Sequence, residues 1–426
     1  MRESLPVRVA WFIGGAALVA MFTVASFWSL RMALADYWFR QETVPGTQAA
    51  LRLEPANAAY YVRLAALTQD SDPSASTQAL QRAVALNPRD SAAWVELGLR
   101  AEAAADLGGA EHSLLRAAAV DEQYFPKWSL ANYYFRRGNT DKFWFWGREA
   151  AQMAYGDLTP LFALCWKIAD DGAQIAQQLD LRKADQEANY LAYLTGQNRI
   201  EPIAQAATRL LAWNREEDAP VLLAACDRLI ADYRAQPAIQ IWNQLAERHR
   251  IPYAALAPGS GRSLSDGDFA VSPTSQGFAW RMPDTAGVAT LLDSQPAGLR
   301  ISFSGRQAEN CDVLTQVLPV MESSNYELRF LYRTTGIAPQ TGLGWRIMDL
   351  YGSKTLAQGE SLASESEREG QFPFRTPAST TLVRLTLAYR RALGTTRIEG
   401  FIDLRELRLT QAQLSSQGVD RSRTVK

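Results

Sequence analysis

The sequence predicts a multidomain α + β protein with an amino-terminal transmembrane helix, an α-solenoid of paired helices and a carboxyl-terminal antiparallel β-sandwich (jelly roll). An uncharged stretch runs from Val9 to Leu30, a pattern of about 34 residues recurs in the first half, and alternating apolar runs follow residue 268. At 426 residues the chain is too long for one core. The segments that we predict are 1–35 (cytoplasmic end and transmembrane anchor), 36–250 (solenoid), 251–267 (linker), 268–410 (sandwich) and 411–426 (polar tail).

The amino-terminal stretch has the length and composition of a membrane-spanning helix. Roughly 20 apolar residues cross a bilayer as a helix, and no charge interrupts Val9–Leu30. Trp11 and Trp28 lie near its two ends, where aromatic belt residues are found. Because Arg2 and Arg8 precede it, we expect a single-pass protein of the bacterial inner membrane with a cytoplasmic amino end and a periplasmic body.

A cleaved signal peptide is the alternative. The small residues of Ala33-Leu34-Ala35 offer a cleavage site after the apolar run. The run exceeds the ~7 to 15 residues of a signal core, and this length favours an anchor. Arg31 and Arg40 follow the segment and oppose the predicted orientation.

The stretch from Leu86 to Gly138 contains two near-copies of one pattern, in which Trp94 and Trp128 hold the same place 34 residues apart. An earlier, weaker copy begins near Ala58. The corresponding positions are Pro88, Trp94, Leu97, Gly98, Ala101, Ala110, Leu114 and Ala117, then Glu122, Trp128, Ala131, Asn132, Phe135 and Gly138. A repeat of this length predicts stacked helix hairpins.

This pattern resembles the tetratricopeptide repeat (TPR), best from Ser91 to Pro126. Small residues such as Ala110 and Ala117 allow close helix approach, and we expect Trp94 and Trp128 to be buried between hairpins. The resemblance implies a concave wall that binds extended partners, here proteins of the cell envelope.

Thirteen aromatic residues crowd the segment 124–166. Either they fill the seams between hairpins, or some line an exposed groove for a sugar or a partner chain. Further helices are predicted by apolar spacings of three and four at Arg182–Leu194, Pro202–Trp213, Ala219–Tyr233 and Pro237–Arg248. The Pro-, Gly- and Ser-rich segment 251–267 then marks a domain boundary.

Short alternating runs bounded by turn residues predict the sandwich. They are Leu299–Ser304, Val313–Val317, Tyr326–Tyr332, Gly344–Met348, Leu382–Tyr389 and Gly400–Leu409. The motifs Asp266-Gly267-Asp268-Phe269, Gly277-Phe278-Ala279-Trp280, Val317-Leu318-Pro319-Val320 and Phe401-Ile402-Asp403-Leu404 resemble those of CenC-type carbohydrate-binding modules and galactose-binding-like jelly rolls.

This second resemblance implies two candidate sites. In that family carboxylates hold a structural calcium; Asp266, Asp268 and Asp403 are the candidates here, with Ala270 where the family has a further acid. Sugar binding rests on exposed rings. The candidate rings are Trp280, Tyr332, Trp345 and Tyr389, of which Trp345, after Gly342-Leu343-Gly344, is the first choice and Trp280 is expected in the core.

Composition excludes several function classes. A net charge of -1 gives no basic footprint for nucleic acid. Three scattered cysteines and two histidines supply neither a zinc site nor a nucleophile system. The densest acidic run of the β domain, residues 365–369, is expected to be a solvated loop, and glycoside hydrolysis needs two carboxylates in one cleft.

We therefore expect a non-catalytic, membrane-anchored scaffold of the envelope that takes part in polysaccharide assembly or export. It would bind proteins through its repeats and glycan through its jelly roll, with no cofactor beyond the calcium. The alternatives are a protein–protein adaptor with a ligandless β domain and a glycan-active enzyme.

Overall fold

The computed structural model describes residues 5–294 and 296–411. Arg2 and the predicted polar tail beyond Gln411 lie outside the described residues. The chain forms two compact units. Unit 1 comprises Met1–Asp170 and Ile175–Leu181, and unit 2 comprises Asp171–Gln174 and Arg182–Lys426.

Fourteen α-helices occupy the described part of the chain before the sandwich. Their bounds are α1 Leu5–Phe39, α2 Val44–Leu53, α3 Ala58–Thr68, α4 Pro73–Leu86, α5 Ser91–Ala103, α6 Leu107–Val120, α7 Tyr124–Arg136, α8 Thr140–Met153, α9 Thr159–Ile168, α10 Gly172–Leu179, α11 Ala184–Gly196, α12 Ile203–Trp213, α13 Ala219–Ala231 and α14 Ala235–Glu247. The four helices predicted after residue 180 are confirmed to within a few residues.

In unit 1 consecutive helices pack in pairs, α3 on α4, α5 on α6 and α7 on α8. Asp72, Asp90, Asp106 and Asn139 begin the helices α4, α5, α6 and α8 by accepting a backbone N–H with the side chain. Such caps stabilise helix starts. Since one pair of helices with its turns spans about 34 residues, the predicted period corresponds to one helix pair per repeat.

The small residues of the repeat are needed for close packing. A Cβ added at Gly98 would lie 2.7 Å from Cγ of Leu114, which is too close for any other residue without a shift. Ala110 and Ala117 are fully buried. Trp94 and Trp128, which we expected to be buried between hairpins, are only half-buried.

The amino-terminal helix continues past the apolar run. Phe12–Phe39 is long and apolar enough to cross a membrane, with a mean hydropathy of 1.7, although a signal sequence would pass the same test. Its last turns pack on α2, where Ala35 is fully buried beside Ala50 and Tyr60. One helix thus contains both the apolar segment and the first packed element of unit 1.

Nine antiparallel strands form the sandwich within residues 288–411, apart from the undescribed residue 295. They are β1 Val288–Ser294, β2 Ala297–Ser304, β3 Asn310–Pro319, β4 Asn325–Thr335, β5 Leu343–Asp349, β6 Thr355–Gln358, β7 Arg368–Arg375, β8 Leu382–Arg390 and β9 Glu399–Gln411. One sheet has the order β1-β2-β9-β4-β7 and the other β3-β8-β5-β6. The core between them is built from the alternate residues of both sheets, as the predicted strand pattern requires.

Sequence patterns missed the strands β1, β6 and β7, all three at the edges of their sheets. The sequence of β7 contains Gly370 and Pro373, which obscure its strand pattern, and proline is tolerated in a strand at the edge of a sheet. A Cβ at Gly370 would lie 2.4 Å from the Phe330 ring, so the glycine is needed for packing. The acidic run 365–369 is exposed as predicted, but its last two residues belong to β7 and not to a loop.

Candidate functional site

The four rings proposed for sugar stacking lie in the core of the sandwich. Exposed fractions are 1% for Trp280 and Trp345, 5% for Tyr332 and 0% for Tyr389. The prediction of an exposed platform is therefore wrong for these side chains, whereas the expectation of a core Trp280 agrees with its burial. The physical reason is strand alternation: Trp345 points inward with its neighbours Leu343 and Ile347 on β5.

Two of the three candidate calcium ligands, Asp266 and Asp403, serve other partners, and Asp268 is exposed. Asp266 accepts the backbone N–H groups of Ala270 and Val271, at 3.0 and 3.2 Å. Asp403 bonds Arg300 at 2.7 Å and Arg333 at 3.0 Å. Two guanidinium groups repel a cation, and no cluster of three or more His, Cys, Asp or Glu suited to a metal occurs among the described residues. The three carboxylates therefore do not fit a calcium site.

An open groove lies beside the buried rings at one edge of the sandwich. Its floor includes Phe330, Tyr332 and Trp345, its rim is formed by residues 358–362 and 368–373, and its volume is about 520 Å³. We call it the edge groove. The indole Nε1 of Trp345 is buried and, within the described chain, has no hydrogen-bond partner. The floor rings expose too little area for stacking on a pyranose.

A second cavity, of about 660 Å³, lies within unit 2 between the carboxyl end of α13 and the outer face of the four-stranded sheet. We call it the helix–sheet cleft. It is lined by Asp227, Ile230, Ala231, Tyr233, Arg281, Pro283, Asp312, Thr315, Val317, Leu350, Ser353 and Arg384. Apolar walls with a few charged and hydroxyl groups are typical of a small-ligand site.

Tyr233, which lines this cleft, and Tyr351 next to it both face solvent. Tyr233 is 43% exposed, and Tyr351, which it contacts, is 69% exposed. Tyr351 is the one ring exposed to this degree among the described residues of the sandwich. The sequence patterns do not single it out, because it lies in a turn after β5, outside every alternating run. Tyr351, in the turn after β5, is therefore available to a ligand, whereas Trp345 inside β5 is not.

The wall formed by α13 is fixed by a partly buried charge pair. The Asp227 carboxylate lies 2.5 Å from the Arg281 guanidinium and accepts the Gly277 N–H at 2.8 Å. Burial raises the pKa of Asp227 above its ordinary value, even though Arg281 and that N–H act to lower it. A Cβ at Gly277 would lie 2.8 Å from the Trp242 ring of α14. The helix pair and the opening loop of the sandwich therefore pack directly on each other.

The segment 251–267 also packs against α14. Tyr253 stacks on Trp242 with ring centroids 5.1 Å apart. The Asn243 side chain accepts the N–H of Leu256 and donates to its carbonyl, at 2.7 and 2.8 Å. These contacts hold the segment in place between α14 and the sandwich.

The aromatic residues of segment 124–166 in unit 1 agree in part with each of the two interpretations made from the sequence. Tyr133, Phe143 and Phe162 are buried in the seams. Phe125 and Phe145 are more than half exposed, and Trp128 and Trp146 beside them are half-buried. Most rings therefore stabilise the stack, while a few remain available to a partner.

Neither buried cysteine is suited to nucleophilic chemistry. Cys165 and Cys226 are fully buried, as expected of core residues, and burial raises the pKa of both thiols far above the ordinary value. At neutral pH both remain protonated, and a thiol is a poor nucleophile.

No protein-family profile matches the chain, and no curated protein sequence is significantly similar to it. Solved structures that are similar include one titled "CBM4 structure and function", with 10% identity, a TM-score of 0.29, and coverage of 35% of this chain and 100% of the other. MamA is 17% identical with a TM-score of 0.27, over 36% of this chain and 96% of its own. YrrB, described as a TPR protein with an unusual peptide-binding site, is 9% identical with a TM-score of 0.25, over 47% and 91%.

TPR proteins are similar to the helical region and carbohydrate-binding modules to the sandwich. These similarities concern the fold. The fold class predicted from sequence is confirmed: an apolar amino-terminal helix, TPR-like helix pairs and a sandwich like those of carbohydrate-binding modules. What the sandwich binds has to be argued from its own surface.

Proposed function

We propose that the protein is a non-catalytic scaffold anchored in the bacterial inner membrane, with its body in the periplasm. Its TPR-like helices bind envelope proteins, and its sandwich binds glycan in polysaccharide assembly or export. The observation that carries the glycan proposal is the helix–sheet cleft, where Tyr233 exposes its ring beside hydrogen-bonding groups and contacts the exposed ring of Tyr351. Rings that stay exposed and rigid in the free protein can stack on pyranose C–H faces.

The charge pairs of the cleft support binding rather than hydrolysis. A glycosidase needs one carboxyl group that donates a proton and a second that attacks or activates water. Asp227 is held by Arg281, and Asp312 lies 3.3 Å from Arg346 and 3.5 Å from Arg390. Both carboxylates are engaged by guanidinium groups and suit hydrogen bonds to sugar hydroxyls.

Calorimetry on the full-length protein in lipid nanodiscs tests the proposal, since maltoside detergents would compete as sugars. We expect heat with at least one envelope polysaccharide and, for Tyr351→Ala, a loss of about tenfold in affinity, or ~1.4 kcal/mol. Tyr155→Ala, which removes an exposed ring of unit 1, is the control and should bind as wild type. No heat with any envelope glycan would contradict the proposal.

The second candidate is a protein–protein adaptor with a ligandless β domain. The burial of all four rings first proposed for sugar binding favours it. Capture of a partner protein by wild type and Tyr351→Ala alike, together with the absence of glycan heat, is the result that this candidate predicts.

A further inference from the structure

The charges that line the helix–sheet cleft are balanced in number but not all paired with each other. Arg281 and Arg384 line it together with Asp227 and Asp312. Asp312 also lies beside two further guanidinium groups, those of Arg346 and Arg390. Both aspartates are thus engaged by guanidinium groups, and Arg384 is the charge that remains to favour a ligand with a negative charge over its neutral counterpart.

Arg384 is the cation that is left over. It projects from β8 on the outer face of the four-stranded sheet, where its neighbours in register are Val317 on β3 and Met348 on β5. Within the described part of the chain it has no carboxylate partner. A guanidinium group between apolar side chains is a strong site for a carboxylate, because its planar donors match both carboxylate oxygens.

The other groups of the cleft match a sugar better than a peptide. Tyr233 and Tyr351 supply ring faces, while the Asp227 and Asp312 oxygens accept hydrogen bonds from hydroxyl groups. The side-chain carboxylates of an acidic peptide would be repelled by Asp227 and Asp312. The combination of rings, acceptors and one unpaired cation therefore fits a pyranose that carries both hydroxyls and a carboxylate.

The backbone at Tyr233 supports a role for its ring. Its φ is +60°, in the left-handed region that favours glycine. The equivalent turns after other helices hold Ala105, Gly138, Asn198 and His249 in the same conformation. A tyrosine is less suited to that position than glycine or asparagine, and strain of this kind is often found at binding sites.

From these observations, and resting on the proposed glycan function, we infer that the helix–sheet cleft binds a uronate residue of an acidic polysaccharide. The pyranose ring lies against Tyr351 and Tyr233, and its carboxylate pairs with Arg384. Asp227 and Asp312 receive its hydroxyl groups.

The probes are hexamers of galacturonate, glucuronate and mannuronate, each beside its carboxyl-reduced counterpart, titrated into the full-length protein in nanodiscs. We expect at least one uronate hexamer to bind tenfold or more tightly than its reduced form, with an affinity that falls as salt is raised. Arg384→Gln should remove this preference. Arg375→Gln, which neutralises an exposed arginine of the five-stranded sheet, should keep it.

The outcomes separate this inference from the proposed function. Equal binding of uronate and reduced hexamers would overturn the inference and leave the glycan function standing. Hexaglutamate that competes with the uronate hexamers at equal affinity would overturn it in favour of an acidic peptide. Absence of binding by every glycan would overturn both.

Discussion

The ring of Tyr233, one residue beyond the cap of α13, meets the ring of Tyr351 edge to face, with centroids 5.1 Å apart and ring planes at 74°. The backbone around Tyr233 closes the helix: its N–H bonds the carbonyl of Ile230 at 3.0 Å, and the N–H of Arg234 bonds that of Leu229 at 2.8 Å. This is the Schellman arrangement, in which the left-handed residue is usually glycine. The tyrosine therefore contributes something that the turn does not require.

Tyr233→Gly should separate stability from binding. Relief of the left-handed backbone gains about 1 kcal/mol, and loss of the ring contact costs about as much, so we expect little change in the free energy of unfolding. Glycan affinity should fall severalfold. Chemical denaturation beside calorimetry measures both quantities.

Asn198 offers a matched control for this variant. It has the same conformation in an equivalent turn, so Asn198→Gly should also preserve stability, and it should leave glycan affinity unchanged. A Tyr233→Gly protein that binds glycan as tightly as wild type would show that the ring is not part of the site.

Replacement of Trp345 should affect folding. The side chain is fully buried against Phe330 and Trp280, with centroids 5.8 and 6.3 Å away. Trp345→Ala should therefore cost about 3 to 5 kcal/mol in unfolding free energy. Trp345→Phe keeps a ring and removes an indole N–H that lacks a partner, so its cost should be distinctly smaller. An unchanged melting temperature for Trp345→Ala would contradict the burial of this ring.

The strands and helices that could be located from the sequence are those with a regular spacing of small or apolar residues. The helix pairs around Trp94 and Trp128 repeat small residues at fixed spacing, and the central strands β2, β4 and β9 alternate because one face is buried, whereas the central strand β8 is buried on both faces over most of its length. Edge strands pack fewer neighbours and tolerate Gly370 and Pro373. Their periodicity is weak for that reason.

The binding surface could not be found in the same way. The alternating pattern puts Trp345 and Tyr389 on the same strand faces as apolar neighbours, and this pattern favours burial of both side chains in the core. Tyr351 lies in a turn, and Tyr233 lies after a helix, 118 residues earlier in the chain. Only packing of α13 on the sandwich brings the two rings together, and no local pattern encodes that contact.

The stability of the sandwich should depend on Asp403 at low pH. Burial by itself would raise the pKa of Asp403, but hydrogen bonds from Arg300 and Arg333 bring it below the ordinary value. A depressed pKa means that the folded state holds the charged form more strongly, so this stabilisation is present above pH ~4 and is lost as pH falls through the folded pKa.

Asp403→Asn should accordingly destabilise the protein at pH 7 by about 1 to 2 kcal/mol, since both arginines are partly exposed, and by less below pH 4. Glu367→Gln, which breaks the exposed pair with Arg405, should have little effect at either pH. Urea denaturation at pH 7 and pH 3.5 compares the two. If Asp403→Asn lowered the free energy of unfolding by the same amount at both pH values, the ion pairs assigned to Asp403 would be contradicted.

The last prediction concerns the amino-terminal segment, which should remain on the mature protein. The helix α1 runs unbroken through the possible cleavage site Ala33-Leu34-Ala35, and Ala35 is fully buried against α2. Arg31 donates from Nε to the carbonyl of Leu53 at 2.6 Å, and its guanidinium carbon lies 4.9 Å from the centre of the Trp28 ring. Cleavage after Ala35 would remove these contacts.

The intact mass of protein isolated from cell membranes measures retention directly. We expect a mass that includes Val9–Leu30 and a protein that resists carbonate extraction. A matched version in which residues 1–35 are replaced by a cleavable signal peptide should appear in the soluble periplasmic fraction, because it lacks the apolar helix. A native chain that begins at Asp36 would contradict the anchor and favour the signal peptide. Retention of the helix with resistance to a protease added outside the inner membrane would instead reverse the predicted orientation, which Arg31 and Arg40 oppose.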